Sequence, residues 1–324
     1  MRNRISSTQG RDGFTLIELM IVVALLGIIG AMLTTILVRQ QRFHRAVTNL
    51  TDTRARMRDI STIMPTDLRS VSTAGRDLLE ISDTSMQFRA FIGASVMCRF
   101  ASAQVIELPP KVLSSGSVLS AWINPPAPND IVYVYDEGTQ GGNVDDTWQP
   151  FRITDTTSAT DASWCPTTTV PAYTKAADNG ARRYRLTLSG APNPLQVETG
   201  APLRFAREVR YSIYQASDNQ WYVGFQRCTP NATYGLVGTC GTREVLAGPV
   251  MAGTADTLSS GLYFVYRNKA GTRITSLATT DTIASVGVGI RTASESLMRA
   301  TTKTGGSMVT GDSLRFTIGF RNRI

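Results

Sequence analysis

Residues Phe14 to Val38 read FTLIELMIVVALLGIIGAMLTTILV, an apolar run of 25 residues whose only charge is Glu18. Roughly 20 apolar residues are enough to cross the hydrocarbon core of a bilayer as a helix, so this segment can span one. The preceding MRNRISSTQGRDG is short, polar and net basic, with Arg2, Arg4 and Arg11 against Asp12. Basic residues on that side orient it toward the cytoplasm, although Arg39, Arg42 and Arg45 on the far flank weaken the asymmetry. A secretory signal places its small-residue cleavage site after a shorter apolar core. Here the Gly13–Phe14 junction precedes the run, which is the reverse order.

The whole chain hides this feature. It has 324 residues, 42% hydrophobic and 18% charged, with 14 Pro and 27 Gly, and a mean hydropathy of −0.06. That composition excludes wholesale disorder and collagen-like repeats, and the length allows a substantial core. Of 33 basic and 25 acidic residues, a net +8 results, which permits anionic partners without demanding them. There is a single histidine, His44, so His-pair zinc motifs are excluded and a Ser-His-Asp triad could rest on that residue alone.

The stretch Gly13-Phe14-Thr15-Leu16-Ile17-Glu18 resembles the type IV prepilin signature, shared by type IV pilins and type II secretion pseudopilins. The resemblance implies that prepilin peptidase cuts between Gly13 and Phe14 and that Phe14 is N-methylated. Residues 1–13 would then be a leader peptide and 14–38 the transmembrane helix. Glu18 would be the fifth residue of the mature chain, four after Phe14 and on one helix face with it. A carboxylate within an apolar helix is costly and ordinarily has a partner. Two readings follow: a glutamate snorkelling to headgroups, or one pairing with a positive N-terminal amine, its own or a neighbour's, during assembly. Gly27 and Gly30 fit either tolerated glycine in a membrane helix or close helix packing in a filament.

Beyond Arg39, the apolar positions Phe43, Val47, Leu50, Met57, Ile60, Met64, Leu68 and Val71 recur at steps of 4, 3, 7, 3, 4, 4 and 3. This spacing predicts an amphipathic continuation of the helix over 39–72. A helix from Phe14 to Met64 would be roughly 75 Å long at 1.5 Å per residue. Pro65 would either kink it or open a short final helix at Thr66–Val71. The arginines of this stretch read as a solvated face or as contacts to phosphate headgroups or acidic neighbours, and His44 carries no ligand set around it.

From Asp77 the pattern changes to short β-rich segments between Gly, Pro, Asn and Asp clusters. Predicted strands are Met86–Ile92, Val96–Leu108, Asp130–Asp136, Phe151–Thr154, Arg182–Leu188, Leu203–Tyr214, Trp221–Arg227, Glu244–Val250, Leu262–Arg267, Ile283–Thr292 and Leu314–Arg321. No helices alternate with them, so the expected class is α+β: a pilin-like lollipop whose N-terminal helix packs on an antiparallel, strand-rich domain over 77–324. Long surface loops are expected at Asn124–Asn129, Asp136–Pro150 and Thr156–Gly180. The segments from Pro65 to Ser70, Ser85 to Ala90 and Gly261 to Tyr266, and the closing strand from Leu314 to Asn322, look like minor pilins of the W type and minor pseudopilins of the J type.

The same resemblance implies a single pass through the inner membrane before assembly, an extracytoplasmic C-terminal domain, and a place in a pilus or pseudopilus afterwards. The partners implied are prepilin peptidase and other pilin or pseudopilin subunits. On that side of the membrane disulfides persist, and four cysteines allow three pairings. Cys228 and Cys240 bracket one inter-strand loop, which favours that pair and leaves Cys98 with Cys165; free buried thiols are the alternative. The spacings resemble no zinc site, and no metal or cofactor is expected. Asp136, Glu137, Asp145 and Asp146 read as a solvated acidic loop rather than a calcium site, and Asn231-Ala232-Thr233 matches a glycosylation sequon. No phosphate loop, nucleophile elbow or catalytic carboxylate pair is present, so an enzyme is not expected. The expected function is a minor pilin-like subunit, with a minor pseudopilin and a tip adhesin or DNA-uptake subunit as rivals. Removing the leader takes away +2 and leaves +6, permissive for DNA but with no aromatic-basic groove visible in sequence.

Overall fold

The apolar run and the amphipathic stretch form one helix, α1 Leu16–Arg69, of 54 residues. In the computed structural model the described residues are 15–72, 76–139, 145–168, 173–193, 196–254, 259–277, 283–292 and 312–320. They fall into two units, Met1–Asp52 with Ser294–Val309, and Thr53–Ala293 with Thr310–Ile324.

The described part of the first unit is the helix up to Asp52, and between Leu16 and Val38 it is apolar on every side. Its large side chains are all exposed, from Leu16 at 78% to Val38 at 39%. Phe43 and Val47 are also exposed. Among the described side chains of the expected apolar stripe, burial within the chain is seen from Met57 onward. In the second unit Met57, Ile60, Met64, Leu68 and Val71 are buried, the last four completely. Pro65 lies inside α1, and no separate helix opens after it. Proline removes the N–H that would bond the carbonyl four residues earlier. Here Pro65 and its neighbours Met64 and Leu68 are buried, so packing holds the helix through the gap.

Among the described residues sixteen strands follow. They are β1 Leu78–Ile81, β2 Ser85–Val96, β3 Arg99–Ser102, β4 Val105–Leu108, β5 Ala121–Trp122, β6 Ile131–Asp136, β7 Thr147–Ala159 and β8 Arg183–Leu188. Then come β9 Pro202–Gln215, β10 Trp221–Thr229, β11 Thr239–Cys240, β12 Glu244–Val250, β13 Leu262–Asn268, β14 Arg273–Ile274, β15 Ile283–Arg291 and β16 Ser313–Gly319. Among the described residues every strand pairing is antiparallel, as the α+β reading requires. The larger sheet runs β1-β2-β9-β6-β7-β8-β4-β3, with β10 also on β9; the smaller runs β14-β13-β15-β16.

Strand β9 organises the unit. One edge pairs with β2 along its length; the other pairs with β6 over Leu203–Ala206 and with β10 over Val209–Gln215. Its two ends feed different cores. Val209 and Tyr211 join Met86, Phe88, Phe264, Val286 and the helix residues Ile60, Met64 and Leu68 in one buried cluster. Leu203 and Phe205 join Ile106, Trp122, Val132, Ile153 and Leu186 in the other. Trp122 is edge-on to both Tyr184 and Phe205, with centroids 5.6 and 5.7 Å away.

Two strand expectations change, and four short strands were not expected. Val96–Leu108 is two strands, β3 and β4, because the backbone turns at Ala103-Gln104. Met97 and Cys98 leave the ladder to donate to the carbonyls of Ala201 and Glu107. Phe151–Thr154 is the middle of the longer β7, which shortens the two loops expected on either side of it. Thr154, Asp155, Thr157 and Ser158 are exposed, so this end of β7 lacks the apolar alternation that marks a strand in sequence. Its partner β8 supplies the ladder instead. The short strands β1, β5, β11 and β14 carried too few residues to show a period.

Candidate functional site

The helix begins with a side-chain cap. Thr15 Oγ1 accepts from the backbone N–H of Glu18 at 3.4 Å, and the Thr15 carbonyl accepts from Leu19 N–H at 3.2 Å. Thr15-Leu16-Ile17-Glu18 thus has the residue types of a capping box, with a carboxylate in the first turn where the helix dipole favours it. Glu18 is exposed, as are all residues from Thr15 to Gln41. Leu16–Arg45 is long and apolar enough to cross a membrane by length and composition, and none of it is buried within the chain. Gly13 and Phe14 lie outside the described residues.

Residues 9–34 match the prokaryotic N-terminal methylation motif. The methylation motif therefore covers the Gly13–Phe14 junction, the Thr15 cap, Glu18 and the greater part of the apolar helix. It supports a type IV pilin-like or pseudopilin subunit, anchored by its apolar helix and structural rather than enzymatic, and it implies processing by prepilin peptidase and assembly with other pilin subunits. No curated protein and no solved structure matches the chain.

Within the motif, a side chain at Gly27 or Gly30 would meet nothing within 4 Å, so packing inside the chain does not require either glycine. Thr34 and Thr35 return their hydroxyls to the carbonyls of Gly30 and Ala31, both at 2.8 Å, which hides two polar groups inside the apolar segment. Farther along, His44 is exposed and stands edge-on to Phe43, with ring centroids 6.3 Å apart.

The cysteines are joined as Cys98–Cys165 and Cys228–Cys240. The first bond lies beside a fully buried carboxylate, Glu107, which sequence reading did not single out. Arg99 donates to both Glu107 oxygens at 3.0 Å, Arg185 reaches Oε1 through two nitrogens at 2.9 and 2.7 Å, and Cys165 N–H donates to Oε2 at 2.7 Å. Arg185 also stacks on Trp164, 4.2 Å from the ring centroid. Among the described residues Cys98, Glu107 and Cys165 are the one group of potential metal ligands close enough to share an ion. With both sulfurs in a disulfide and both carboxylate oxygens taken by donors, it ties the segment after β7 to β3, β4 and β8. The only sign in sequence was Arg99 and Glu107 eight apart in one presumed strand, a spacing that gains meaning once a hairpin brings them together.

The acidic loop is solvated only in part: Glu137 is exposed, whereas Asp136, Asp145 and Asp146 are wholly or partly buried. Asp136 is buried and accepts from Gly138 N–H and Gln149 Nε2; Asp145 accepts from Thr139 N–H, and Asp146 from Tyr135 OH. These carboxylates satisfy local donors. Asn231 is exposed, with Oδ1 accepting from Thr233 N–H.

Two further carboxylates are buried beside tyrosines. Tyr211 OH donates to Asp67 at 2.6 Å, tying α1 to β9, and Tyr133 OH donates to Asp77 at 2.8 Å. In both, burial pushes the carboxyl above the usual aspartate range; the Tyr211 hydrogen bond only partly offsets this for Asp67, and the Ser72 and Tyr133 hydrogen bonds with the Arg89 and Arg204 charges only partly offset it for Asp77. Burial, with the adjacent carboxylate, pushes both tyrosines up as well.

Proposed function

We propose that the chain is a minor pilin-like subunit of a type IV pilus, acting in filament initiation or at the tip. Its leader is residues 1–13, prepilin peptidase cuts between Gly13 and Phe14, and Phe14 receives the N-methyl group. The apolar helix is held in the inner membrane before assembly, with the strand-rich unit on the extracytoplasmic side. The observation that carries this reading is the coincidence of the methylation motif with a helical segment, Leu16–Val38, whose large apolar side chains are all unburied within the chain. Such a surface needs lipid first and neighbouring subunits afterwards.

Glu18 is the assembly residue. An exposed carboxylate in an apolar helix gains most from a cationic partner outside its own chain, and the N-terminal amine of a neighbouring subunit is such a group. A size argument separates minor from major subunit: a domain over 77–324 with long loops packs poorly along a repeated filament. A minor pseudopilin carries the same motif and is the second reading. Gene deletion with piliation and type II secretion scored in parallel distinguishes the two. Loss of pili with intact secretion is expected; loss of secretion with intact pili overturns the pilus assignment.

A further inference from the structure

A cleft of about 330 Å³ opens in the second unit where the segment before β1 meets β6, β7, β9 and the loop between β10 and β11. Its chemistry is specific. Arg204 on β9 lies between two rings, its guanidinium 5.5 Å from the centroid of Trp148 and 5.7 Å from that of Phe91. Among the described residues no carboxylate forms a salt bridge with it, Asp77 acting on it only at longer range, whereas Arg207 on the same strand is bidentate to Asp130 at 2.7 Å. Arg76 lines the same cleft and is likewise without an ion-pair partner among the described residues. Its main chain is held at φ 54°, and its carbonyl accepts from Arg89 at 3.3 Å.

Deeper in the cleft is Asp77, whose two oxygens accept from Tyr133 OH and Ser72 N–H and keep lone pairs for further donors. Trp148 and Tyr234 are 38% and 40% exposed and offer flat apolar faces. Tyr234 is placed by the loop that Cys228–Cys240 closes, and the same ring covers Arg89 at 4.2 Å.

We propose that this cleft binds a carboxylate-bearing sugar unit of an acidic glycan. The guanidinium of Arg204, already oriented by its rings, takes the carboxylate in a two-point contact, with Arg76 adding charge. Asp77 and Tyr133 take ring hydroxyls, and Trp148 and Tyr234 pack against the apolar C–H faces. A deoxyribose phosphodiester fits less well, because it brings its charge without the neighbouring ring hydroxyls that Asp77 and Tyr133 would take. An uncharged apolar ligand leaves both guanidiniums unmatched. A second cleft of about 260 Å³, lined by Arg89, Arg152 and Phe151, shares Tyr234 and extends the site for a further sugar unit.

The test is calorimetric titration of the full processed chain in detergent with uronate oligomers. Galacturonate, glucuronate and mannuronate series are used, with their methyl esters and a single-stranded oligothymidylate as comparators. Saturable binding of at least one uronate is expected, weakened about tenfold or more by methyl esterification and by Arg204→Gln. Arg76→Gln, at an exposed position that leaves packing intact, should weaken it in the same direction, and near-UV circular dichroism checks that each variant is folded. Absence of binding by all three uronates, equal binding of the esters, unchanged binding by folded Arg204→Gln or Arg76→Gln, or tighter binding of oligothymidylate would each overturn the proposal.

Discussion

At the scale of single residues, Glu18 has two physical roles that substitution can separate. As the fourth member of Thr15-Leu16-Ile17-Glu18 it sits where a capping box places Glu or Gln, and as a carboxylate it can pair with an amine outside its own chain. Glu18→Gln keeps the first role and removes the second. The expected outcome is normal leader cleavage with incorporation into filaments as impaired as in Glu18→Ala, read by immunoblot of sheared filaments; normal incorporation of either variant would remove the pairing role. Asp67 gives a second residue-scale prediction. Its folded pKa is raised by burial, so its favourable contribution is complete below the unfolded value near about 3.9 and is lost as pH rises through the folded one. Asp67→Asn keeps an acceptor for Tyr211. Its melting temperature should therefore exceed that of the wild type most at neutral pH, the gap closing as pH falls toward 4 (about the unfolded value). A gap that widens on acidification would contradict the sign.

At the scale of elements, α1 carries two different surfaces on one backbone. Met64 is completely buried in the cluster with Phe88, Tyr211 and Phe264, and Phe43 is 62% exposed. Met64→Ala should cost about 2–5 kcal/mol of unfolding free energy, whereas Phe43→Ala should change it by no more than about 0.5 kcal/mol. Denaturant titration in detergent measures both. The disulfides rank by the loops they close. Cys98–Cys165, with a separation of 67, should contribute about 4 kcal/mol on the loop-closure account, against about 3 kcal/mol for Cys228–Cys240, with a separation of 12. Paired serine substitutions compared by denaturant midpoint test that order.

Much of this was legible in the chain itself, for identifiable reasons. The apolar run and the stripe Met57, Ile60, Met64, Leu68, Val71 declare themselves because a helix repeats its faces over many residues. Most of the longer strands showed apolar alternation along half-buried faces. The exposed end of β7 and the two-residue strands stayed invisible, since their stability comes from a partner's ladder rather than from their own side chains. Glu107 and Arg204 were unreadable for a related reason. Their environments are assembled from β3, β4 and β8 in one case, and from β2, β7 and β9 in the other, and no local spacing encodes such meetings.

At the scale of the whole molecule, the chain carries an apolar helical segment, Leu16–Val38, unmatched within its own chain, and a strand-rich unit with two buried cores. The mildly basic average of the sequence is a mean over two solvents, lipid for one part and water for the other. The central claim is that the leader is removed and the helix retained, and the mass and N-terminal sequence of the chain recovered from membranes test it most directly. The expected result is a chain beginning at N-methylated Phe14, with the apolar helix present. A chain cut after the apolar run, or one still carrying residues 1–13, would contradict it.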